Sequence, residues 1–325
     1  MKAIARSQYG DSTHFKAVSL PIPKPKAHEV CIKIDATSLN ASDWEFLTGR
    51  PVYTRLWGLR KPRITILGSD ISGIVIAVGS SVTEYKPGDA VFGDIMEHWG
   101  GFAEYVIAPA KLLVAKPEGI SHVQAASIPQ SASVALQGIT KLDPLTPGQA
   151  ILINGAGGGA GSFAIQFAKQ RGVEVTAVDS YDKFEHMTHM GADYVLDYKT
   201  HNYCLADKQY DAILDFVASH SVFDNKRALT STGKYFVVGG KVSNILQTLF
   251  FGLMFSIFSM KKMRVLAAQP NLYLESITTM ITNQEIIVPI DQEYAFDDIP
   301  NAMNYLGQKK AKGKVVINMQ PNNSQ

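Results

Sequence analysis

Cysteine is the residue that this sequence most lacks, because its 325 residues include only Cys31 and Cys204. So few thiols exclude a disulfide framework and a four-cysteine zinc lobe. They favour a reducing compartment, and we expect a cytoplasmic protein. The N-terminal segment MKAIARSQYG also lacks the apolar core of a secretory signal peptide.

An excess of charge of one sign is lacking too. The chain has 31 Lys and Arg residues against 29 Asp and Glu residues, and its formal net charge is +2. Without a basic surplus, nucleic acid is not an expected partner. The composition, 46% hydrophobic and 18% charged, is typical of a globular protein, and the length allows two domains.

The sequence also lacks an apolar run long enough to cross a bilayer. Its most apolar segment, 245–260 (ILQTLFFGLMFSIFSM), would form a helix of about 24 Å, whereas a bilayer core is about 30 Å thick. Polar residues interrupt it at Gln247, Thr248, Ser256 and Ser259. We interpret the segment first as a helix that is buried or covered by a second copy in a homodimer. Contact with a membrane surface is the alternative.

What the sequence has instead is a concentration of glycine after a short apolar strand. Ala150–Ile153 predicts the strand, and five glycines follow from Gly155 to Gly161. Apolar residues then recur at helical spacing, and a second strand over 173–178 is followed by Asp179. Glycine lets the backbone approach a pyrophosphate, and the helix N-terminus attracts its charge. The pattern therefore predicts a dinucleotide site.

The expected secondary structure changes along the chain from mainly strands to alternating strands and helices. The first 120 residues indicate an all-β region with little helix, with strands at 30–34, 71–78, 90–92 and 102–108. Ser121 predicts the N-cap of a helix over 123–139. Strands then alternate with helices, which favours a parallel sheet covered on both faces. The six expected strands are 150–154, 174–178, 194–197, 212–216, 234–238 and 263–267.

The last fifty residues change character again. They predict helices over 272–283 and 298–308, a strand or turn over 286–294 and a final strand over 313–317. The final strand either extends the parallel sheet or returns to the first domain.

Five motifs along the chain resemble one enzyme family. They are the run from Gly148 to Lys169, Leu39–Trp44 (LNASDW), Leu67–Gly73 (LGSDISG) with Val78-Gly79, Pro87–Val91 (PGDAV) and Gly313–Val316 (GKVV). Taken together they resemble the medium-chain dehydrogenase/reductase superfamily, in its zinc-independent quinone oxidoreductase branch. The resemblance covers nearly the whole chain.

The resemblance implies an α/β fold, with a GroES-like β domain plus a doubly wound parallel-sheet Rossmann domain. Residues 1–120 and 270–325 would form the GroES-like catalytic domain, and residues 121–269 the Rossmann nucleotide-binding domain. The cofactor would lie between the two domains. Because this family is commonly dimeric, the resemblance also implies a homodimer.

Zinc-dependent relatives use a Cys and a His of the first domain as ligands. Here Asn40–Asp43 contains no Cys, and Leu67–Asp70 contains no His. His186 and His189 are three residues apart on an expected helix, and we interpret them as solvated side chains. We therefore expect no metal site. Without a Lewis acid, an activated double bond or a quinone is an easier substrate than a simple alcohol.

Two signals compete over the cofactor. Asp179 favours NAD, because an acid at this position binds a free ribose 2′-hydroxyl. Ser180, Lys183 and Tyr198 match positions that hold the 2′-phosphate in NADPH-dependent quinone reductases, although Lys183 is equally interpreted as an exposed helix residue. Asp179 could instead turn away, cap the next helix at its N-terminus or pair with Lys183. We favour NADP(H) over NAD(H), with the pyrophosphate at Gly157, Gly158, Gly159, Ala160 and Gly161.

The resemblance further implies hydride transfer to a quinone or an α,β-unsaturated carbonyl. Asn40 matches a position near the nicotinamide, and Asp43 would organise its loop. Tyr53 is the candidate donor to the substrate oxygen, or an ordinary packed tyrosine. The basic segment 53–63 borders the substrate entrance or is a solvated loop. No Ser–His–Asp set is evident, and the proton would come from solvent.

Two other functions stay open at this point. One is a nucleotide-binding sensor or assembly factor without turnover, which would fit the absence of an obvious acid or base. The other is an alcohol-dehydrogenase-like activity with NAD(P).

Overall fold

The computed structural model describes residues Met1–Met319, and the chain divides into two compact units. The first unit consists of Met1–Gln130 together with the C-terminal segment that begins at Tyr273. The second unit is Ser131–Leu272. From the sequence, these divisions were expected at residues 120 and 269.

The first unit is built mainly from antiparallel strands. Its elements up to the first division are β1 (Lys2–Arg6), β2 (Phe15–Ser19), β3 (Glu29–Leu39), α1 (Ala41–Thr48), β4 (Asp70–Val78), β5 (Ala90–Asp94), β6 (Tyr105–Pro109), β7 (Val114–Ala115) and α2 (His122–Ala126). Strand β3 is central, because it pairs with both β4 and β6. Each strand that the sequence predicted here is present, with somewhat different bounds.

The expectation of little helix in this region is wrong directly after β3. Asn40 and Asp43 form a capping box that starts α1, and Gly49 ends the helix in the left-handed conformation with φ of 66°. A 3₁₀ helix over Val52–Trp57 follows. The two polar residues that the sequence assigned to catalysis are therefore also the residues that begin a helix.

The single helix expected over 123–139 is two helices. Ser121 and Gln124 form a capping box at the start of α2, which confirms Ser121 as the N-cap. A second helix, α3 (Pro129–Leu142), begins at a proline. Proline has no backbone N–H and a fixed φ, so it suits the first position of a helix and interrupts a continuous one.

The second unit contains a six-stranded parallel sheet. After α3 its elements are β8 (Ala150–Asn154), α4 (Gly159–Gln170), β9 (Glu174–Asp179), α5 (Phe184–His189), β10 (Tyr194–Asp197), β11 (Tyr210–Asp215), α6 (Val222–Ala228), β12 (Leu229–Val237), α7 (Val242–Phe258) and β13 (Lys262–Val265). The strand order is β10-β9-β8-β11-β12-β13. The expected six-stranded, doubly wound sheet is confirmed.

The C-terminal segment returns to the first unit. Its elements are α8 (Leu274–Thr282), β14 (Ile290–Ala295), α9 (Ile299–Gly307) and β15 (Lys314–Asn318). Strand β15 pairs with β3 in antiparallel fashion, with Val315 opposite Leu39, and with β14 in parallel. The last strand therefore returns to the first unit and does not extend the parallel sheet, which were the two arrangements that the sequence left open.

Each unit has its own apolar core. Phe46, Phe102 and Ile317 are buried together in the first, and Leu152, Ile213 and Tyr235 in the second. The apolar segment 245–260 forms most of α7, and only Phe255 of its large apolar side chains is buried in the core of the second unit. Most of the others are exposed on this chain, so the interpretation of the segment as a buried helix is wrong for the greater part of it. Within residues 1–319, no helix has both the length and the hydropathy that crossing a membrane requires.

Candidate active site

The order in which the chain adds strands to the sheet of the second unit reverses between the neighbouring strands β8 and β11. From β8 the chain continues to β9 on one side, whereas β11 continues to β12 on the other. In open parallel sheets, ligands bind at the carboxyl ends of the strands at such a point. Asn154 and Asp215 end these two strands, and the Asn154 amide donates a hydrogen bond of 2.8 Å to Asp215 Oδ1.

The glycine turn fills the space between β8 and α4. A Cβ on Gly161 would lie 2.3 Å from the carbonyl oxygen of Gly155, so only glycine lets the helix approach the turn this closely. At Gly158, the N-cap, the nearest atom would be 3.8 Å away. The first turn of α4, Gly159 to Gly161, has backbone N–H groups without intrahelical partners. The turn therefore presents backbone donors of the kind that bind anions.

Asp179, at the end of β9, is tied to this turn. Its Oδ2 accepts a hydrogen bond of 3.0 Å from the Gly157 N–H, and its Oδ1 accepts one of 2.8 Å from the Ser180 N–H. Lys183 Nζ lies 3.4 Å from the same carboxylate. Lys183 is 5% exposed, so the interpretation of this lysine as an exposed helix residue is wrong. Of the roles left open for Asp179, pairing with Lys183 is the one observed.

Ser180 and Tyr198, the other residues expected to bind the 2′-phosphate, lie at the same carboxyl end of the parallel strands. Strands β9 and β10 pair with Asp179 opposite Asp197, and the Tyr198 N–H donates to the Asp179 carbonyl at 3.2 Å. Ser180 is buried beside Asp179, whereas the Tyr198 ring is half exposed. Lys199, which the sequence analysis did not include, places its ammonium 5.9 Å from the centre of the Tyr198 ring. The structure thus brings two lysines and two hydroxyl-bearing residues together at the carboxyl ends of β9 and β10.

A buried polar network at the end of β11 was also missed. Asp215 accepts hydrogen bonds from the N–H groups of Val217 and Ala218 and from the Tyr235 hydroxyl. Burial raises the pKa of this carboxyl, and its four donors oppose the rise. The residues come from β8, β11 and β12, so no contiguous motif announces them. The network fixes the strand ends beside the glycine turn.

The two helical histidines differ from each other. His189 is exposed, as expected, but His186 is half-buried and its Nε2 lies 2.7 Å from the Ser162 hydroxyl in α4. The interpretation of both as solvated side chains is therefore wrong for His186. Its contact fixes α5 against the helix that follows the glycine turn.

In the first unit, Asn40 and Asp43 are brought together and are both engaged. Asp43 Oδ2 accepts from the Asn40 N–H at 2.8 Å, and Asp43 Oδ1 accepts from the Gly68 N–H at 2.9 Å. The Asn40 amide oxygen accepts from Lys314 Nζ at 2.6 Å. Asp43 therefore organises the loop before α1, the role given to it from the sequence.

Lys314 is the centre of a buried charged cluster that the sequence analysis did not find. Its ammonium lies 3.5 Å from Asp70 Oδ2 and donates to the Leu39 carbonyl at 3.1 Å. The backbone N–H of Gln130 donates to Asp70, and the Gln130 amide donates to Asp94 Oδ2 at 3.4 Å. These members come from distant parts of the chain and meet only in the folded unit.

Burial controls the protonation of this cluster. It raises the pKa of Asp43 to about 7, and it raises that of Asp94 to about 7 with a further contribution from the charge of Asp70. Burial also raises the pKa of Asp70 and lowers that of Lys314, while their mutual attraction opposes both shifts. The single ammonium thus compensates three carboxyls, two of which titrate near neutral pH.

The donor set of this cluster does not fit zinc. Asn40–Asp43 and Leu67–Asp70, where the sequence analysis looked for a Cys and a His, contain neither, and the Asn40 amide donates to Ser69 Oγ at 3.4 Å. Carbonyl, hydroxyl and carboxyl oxygens surround an ammonium group here, whereas zinc prefers thiolate and imidazole ligands. Across residues 1–319, no group of three or more His, Cys, Asp or Glu side chains is arranged to hold a metal ion.

Tyr53 is not part of this cluster. Its hydroxyl donates a hydrogen bond of 2.8 Å to Glu45 Oε2, and its ring is about half exposed on the 3₁₀ helix after α1. Burial, followed by the charge of Glu45, raises the pKa of Tyr53, so the phenol stays protonated at neutral pH. Since its single proton is donated to Glu45, donation to a substrate requires that this bond opens.

A Ser–His–Asp set is present, contrary to the sequence expectation. Ser72 Oγ lies 2.8 Å from His122 Nδ1, and His122 Nε2 lies 3.6 Å from Asp35 Oδ2. Ser72 is completely buried, and its hydroxyl also donates to the Val91 carbonyl. A substrate cannot reach this serine, so the set attaches α2 to the sheet and supplies no nucleophile.

Two family models match the chain. The model described as alcohol dehydrogenase GroES-like domain matches residues 26–118, and the model described as zinc-binding dehydrogenase matches residues 190–317.

Relatives match over nearly the full length. The chain is 30% identical to the quinone-oxidoreductase homolog, chloroplastic, of Spinacia oleracea, covering 98% of each chain. It is 30% identical to the NADPH-dependent alkenal/one oxidoreductase, chloroplastic, of Arabidopsis thaliana, over 98% of this chain and 79% of that one.

A solved structure, the quinone oxidoreductase from Coxiella burnetii, is similar with a TM-score of 0.86 and 27% identity, covering 98% of this chain and 99% of that one. The two models, the relatives and the paired GroES-like and Rossmann folds agree with one another. The chain therefore belongs to the medium-chain dehydrogenase/reductase superfamily, in its quinone-oxidoreductase-like branch.

Proposed function

We propose that this protein is an NADPH-dependent oxidoreductase that reduces quinones or α,β-unsaturated carbonyl compounds. The observation that carries the proposal is the edge of the parallel sheet where an open glycine cradle lies beside two lysines. Relatives named as a quinone-oxidoreductase homolog and as an NADPH-dependent alkenal/one oxidoreductase support the same reaction class.

The residues of the cradle fit a dinucleotide. The N-terminal turn of α4 would bind the pyrophosphate through backbone N–H groups, and Gly158 leaves room for it. When bound, the nicotinamide supplies the hydride that reduces the double bond. A quinone or enone accepts this hydride without a Lewis acid, because its carbonyl group takes up the electron pair, and a proton from solvent completes the reduction.

The preference for NADPH rests on four side chains beyond the cradle. Lys183 and Lys199 supply positive charge, and Ser180 and Tyr198 supply hydroxyl donors for a 2′-phosphate. Asp179 opposes a second negative charge, but its oxygens are already bonded to the glycine turn and paired with Lys183. Pairing with Lys183 offsets the charge of Asp179, and Lys199 leaves this group of side chains with a net positive charge.

One observation favours a second function, nucleotide binding without turnover. The side chains of Asn40, Asp43 and Tyr53 all bond to other protein groups, so none is ready to donate a proton to a substrate. We rank this function second, because protonation by solvent makes a side-chain donor unnecessary.

Titrations with NADPH and NADH, followed by NADPH oxidation with a panel of quinones and enones, test both functions. We expect NADPH to bind about tenfold or more tightly than NADH, since a charge-assisted contact contributes about 1.5–3 kcal/mol. Turnover on the panel is expected. Tighter binding of NADH would overturn the cofactor preference, and NADPH binding with no oxidation on any substrate would favour the second function.

The Lys183→Met variant separates charge from general binding. It should weaken NADPH binding about tenfold and leave NADH binding nearly unchanged, because only NADPH carries the 2′-phosphate. Lys141→Met, at an exposed position near the end of α3, is the matched control. An equal loss for both nucleotides would show that Lys183 supports the turn and does not select the cofactor.

A further inference from the structure

Helix α7 buries a mixed face of polar, small and aromatic residues and exposes an apolar one. The residues that it buries are Asn244, Thr248, Gly252 and Phe255. Its outward side carries Leu246, Leu249, Phe250, Leu253, Ile257 and Phe258, and Phe258 is 83% exposed, Phe250 75% and Ile257 68%. A surface helix of a globular protein normally shows the opposite arrangement.

Specific contacts fix α7 in this orientation. The Asn244 amide donates to the Ala218 carbonyl at 2.8 Å, and Ser256 Oγ accepts from the Met263 N–H at 3.2 Å. A Cβ on Gly252 would lie 2.4 Å from the Met263 carbonyl oxygen, so the helix touches the backbone of β13 at a glycine. Rotating the helix to bury its leucines would break these contacts. The outward apolar face is therefore a property of the native packing.

The neighbourhood of α7 in the sequence carries charge of one sign. Residues 225–274 contain no Asp or Glu and seven basic residues: Lys226, Arg227, Lys234, Lys241, Lys261, Lys262 and Arg264. Because the whole chain is nearly balanced in charge, this separation is local.

Not all of these cations are free to meet a partner. Arg227 is paired with Asp224, and Lys234 donates to the carbonyls of Leu142 and Asp143. Lys241 at the start of α7, and Lys262 and Arg264 after its end, are exposed. Lys226 lies 3.9 Å from the centre of the Phe255 ring. Exposed positive charges therefore flank the apolar face at both ends.

We propose that α7 docks on the surface of an anionic lipid membrane, lying in the interface with its apolar side toward the acyl chains. An interfacial helix combines a row of large apolar side chains with flanking Lys and Arg residues, which is what α7 presents. Anionic headgroups supply the charge that is missing from residues 225–274. A two-fold dimer would instead place this surface against itself and bring the same cations together.

Vesicle flotation with the full chain tests the proposal without using turnover, so it is independent of the proposed reaction. We expect binding to phosphatidylcholine vesicles that contain phosphatidylserine, little binding to phosphatidylcholine alone, and release at high salt. Equal binding to both vesicle types, or binding to neither, would overturn the proposal.

Two pairs of variants locate the contact. Leu253→Ser should weaken vesicle binding about tenfold, because it removes apolar surface from the interface. Leu205→Ser, at a comparably exposed position of the same unit (69% exposed), should bind as the unaltered chain does. The Lys241→Glu/Lys262→Glu double variant should also lose binding about tenfold or more, and Lys24→Glu in the other unit should not. Equal behaviour within each pair would refute docking through α7.

Sedimentation velocity distinguishes a second copy as the occupant. All five substituted side chains are exposed, so unchanged thermal melting is expected. The charge pair therefore gives a result independent of the leucine pair. The proposal predicts that Leu253→Ser leaves the sedimentation coefficient unchanged while it lowers vesicle binding. A dimer that this variant converts to a monomer would assign the apolar face to a second copy and overturn the proposal.

Discussion

The glycine turn of the second unit and the Lys314 cluster of the first are both polar sites, but they are assembled differently. The turn is one contiguous stretch between β8 and α4, and Asp179 reaches it from the next strand. The cluster gathers Asn40, Asp70, Asp94, Gln130 and Lys314 from separate elements. A local motif keeps its geometry through its own backbone. The distributed cluster depends on every member, because each buried charge needs another.

The largest effect should come from removing the only cation described in that cluster. Lys314→Met leaves Asp70 buried without its counter-charge, which costs about 3–5 kcal/mol of unfolding free energy. Urea unfolding at pH 8 measures it, and Lys312→Met, at an exposed position two residues away, is the control. Equal midpoints for the two variants would mean that Lys314 does not compensate the carboxyls.

The glycine turn should respond more moderately and in two separable ways. Gly161→Ala forces α4 away from the Gly155 carbonyl and should cost about 1–3 kcal/mol of stability, as overpacking does. Gly158→Ala meets no atom closer than 3.8 Å, so it should keep its stability and weaken NADPH binding. Thermal melting and NADPH titration measure the two effects. Unchanged affinity in Gly158→Ala would place the pyrophosphate elsewhere.

The buried carboxyls of the Lys314 cluster also predict a pH dependence of stability. The pKa of Asp94 is raised to about 7, so between its ordinary value near 4 and pH 7 the folded protein binds more protons than the unfolded chain. Stability contributed by this group is present at low pH and is lost as pH rises through this window.

Asp94→Asn should reduce that loss by about 2–3 kcal/mol between pH 5 and pH 8, since one pKa unit corresponds to about 1.4 kcal/mol. Urea midpoints at the two pH values provide the measurement, and Glu118→Gln, at an exposed position, serves as the control. The same slope in Asp94→Asn as in the unaltered chain would contradict the shift assigned to Asp94.

The smallest effect is expected at Lys199. Its side chain is exposed beside Tyr198, so its attraction to a 2′-phosphate is screened by solvent. Lys199→Ala should weaken NADPH binding by about threefold at low salt and by less at high salt. A loss as large as that of Lys183→Met would make Lys199 the main phosphate ligand.

The sequence predicted the second unit better than the first. All six parallel strands were expected, because buried strands and intervening helices have distinct periods. In the first unit, α1 was missed although its capping residues Asn40 and Asp43 were singled out for chemistry. Polar residues at a helix start and polar residues in a site look alike in a sequence, because both are short side chains that bond to backbone groups.

The sequence by itself determined the family, the glycine turn, the acid at the end of β9 and the lack of Cys and His at the two segments where zinc ligands were sought, because each depends on residue types at short spacing. Only the tertiary structure decided that Lys183 is buried against Asp179, that Lys314 compensates three distant carboxyls and that α7 turns its leucines outward. These features depend on which groups share a buried environment. Burial and charge pairing arise when distant segments pack together, so no local pattern encodes them.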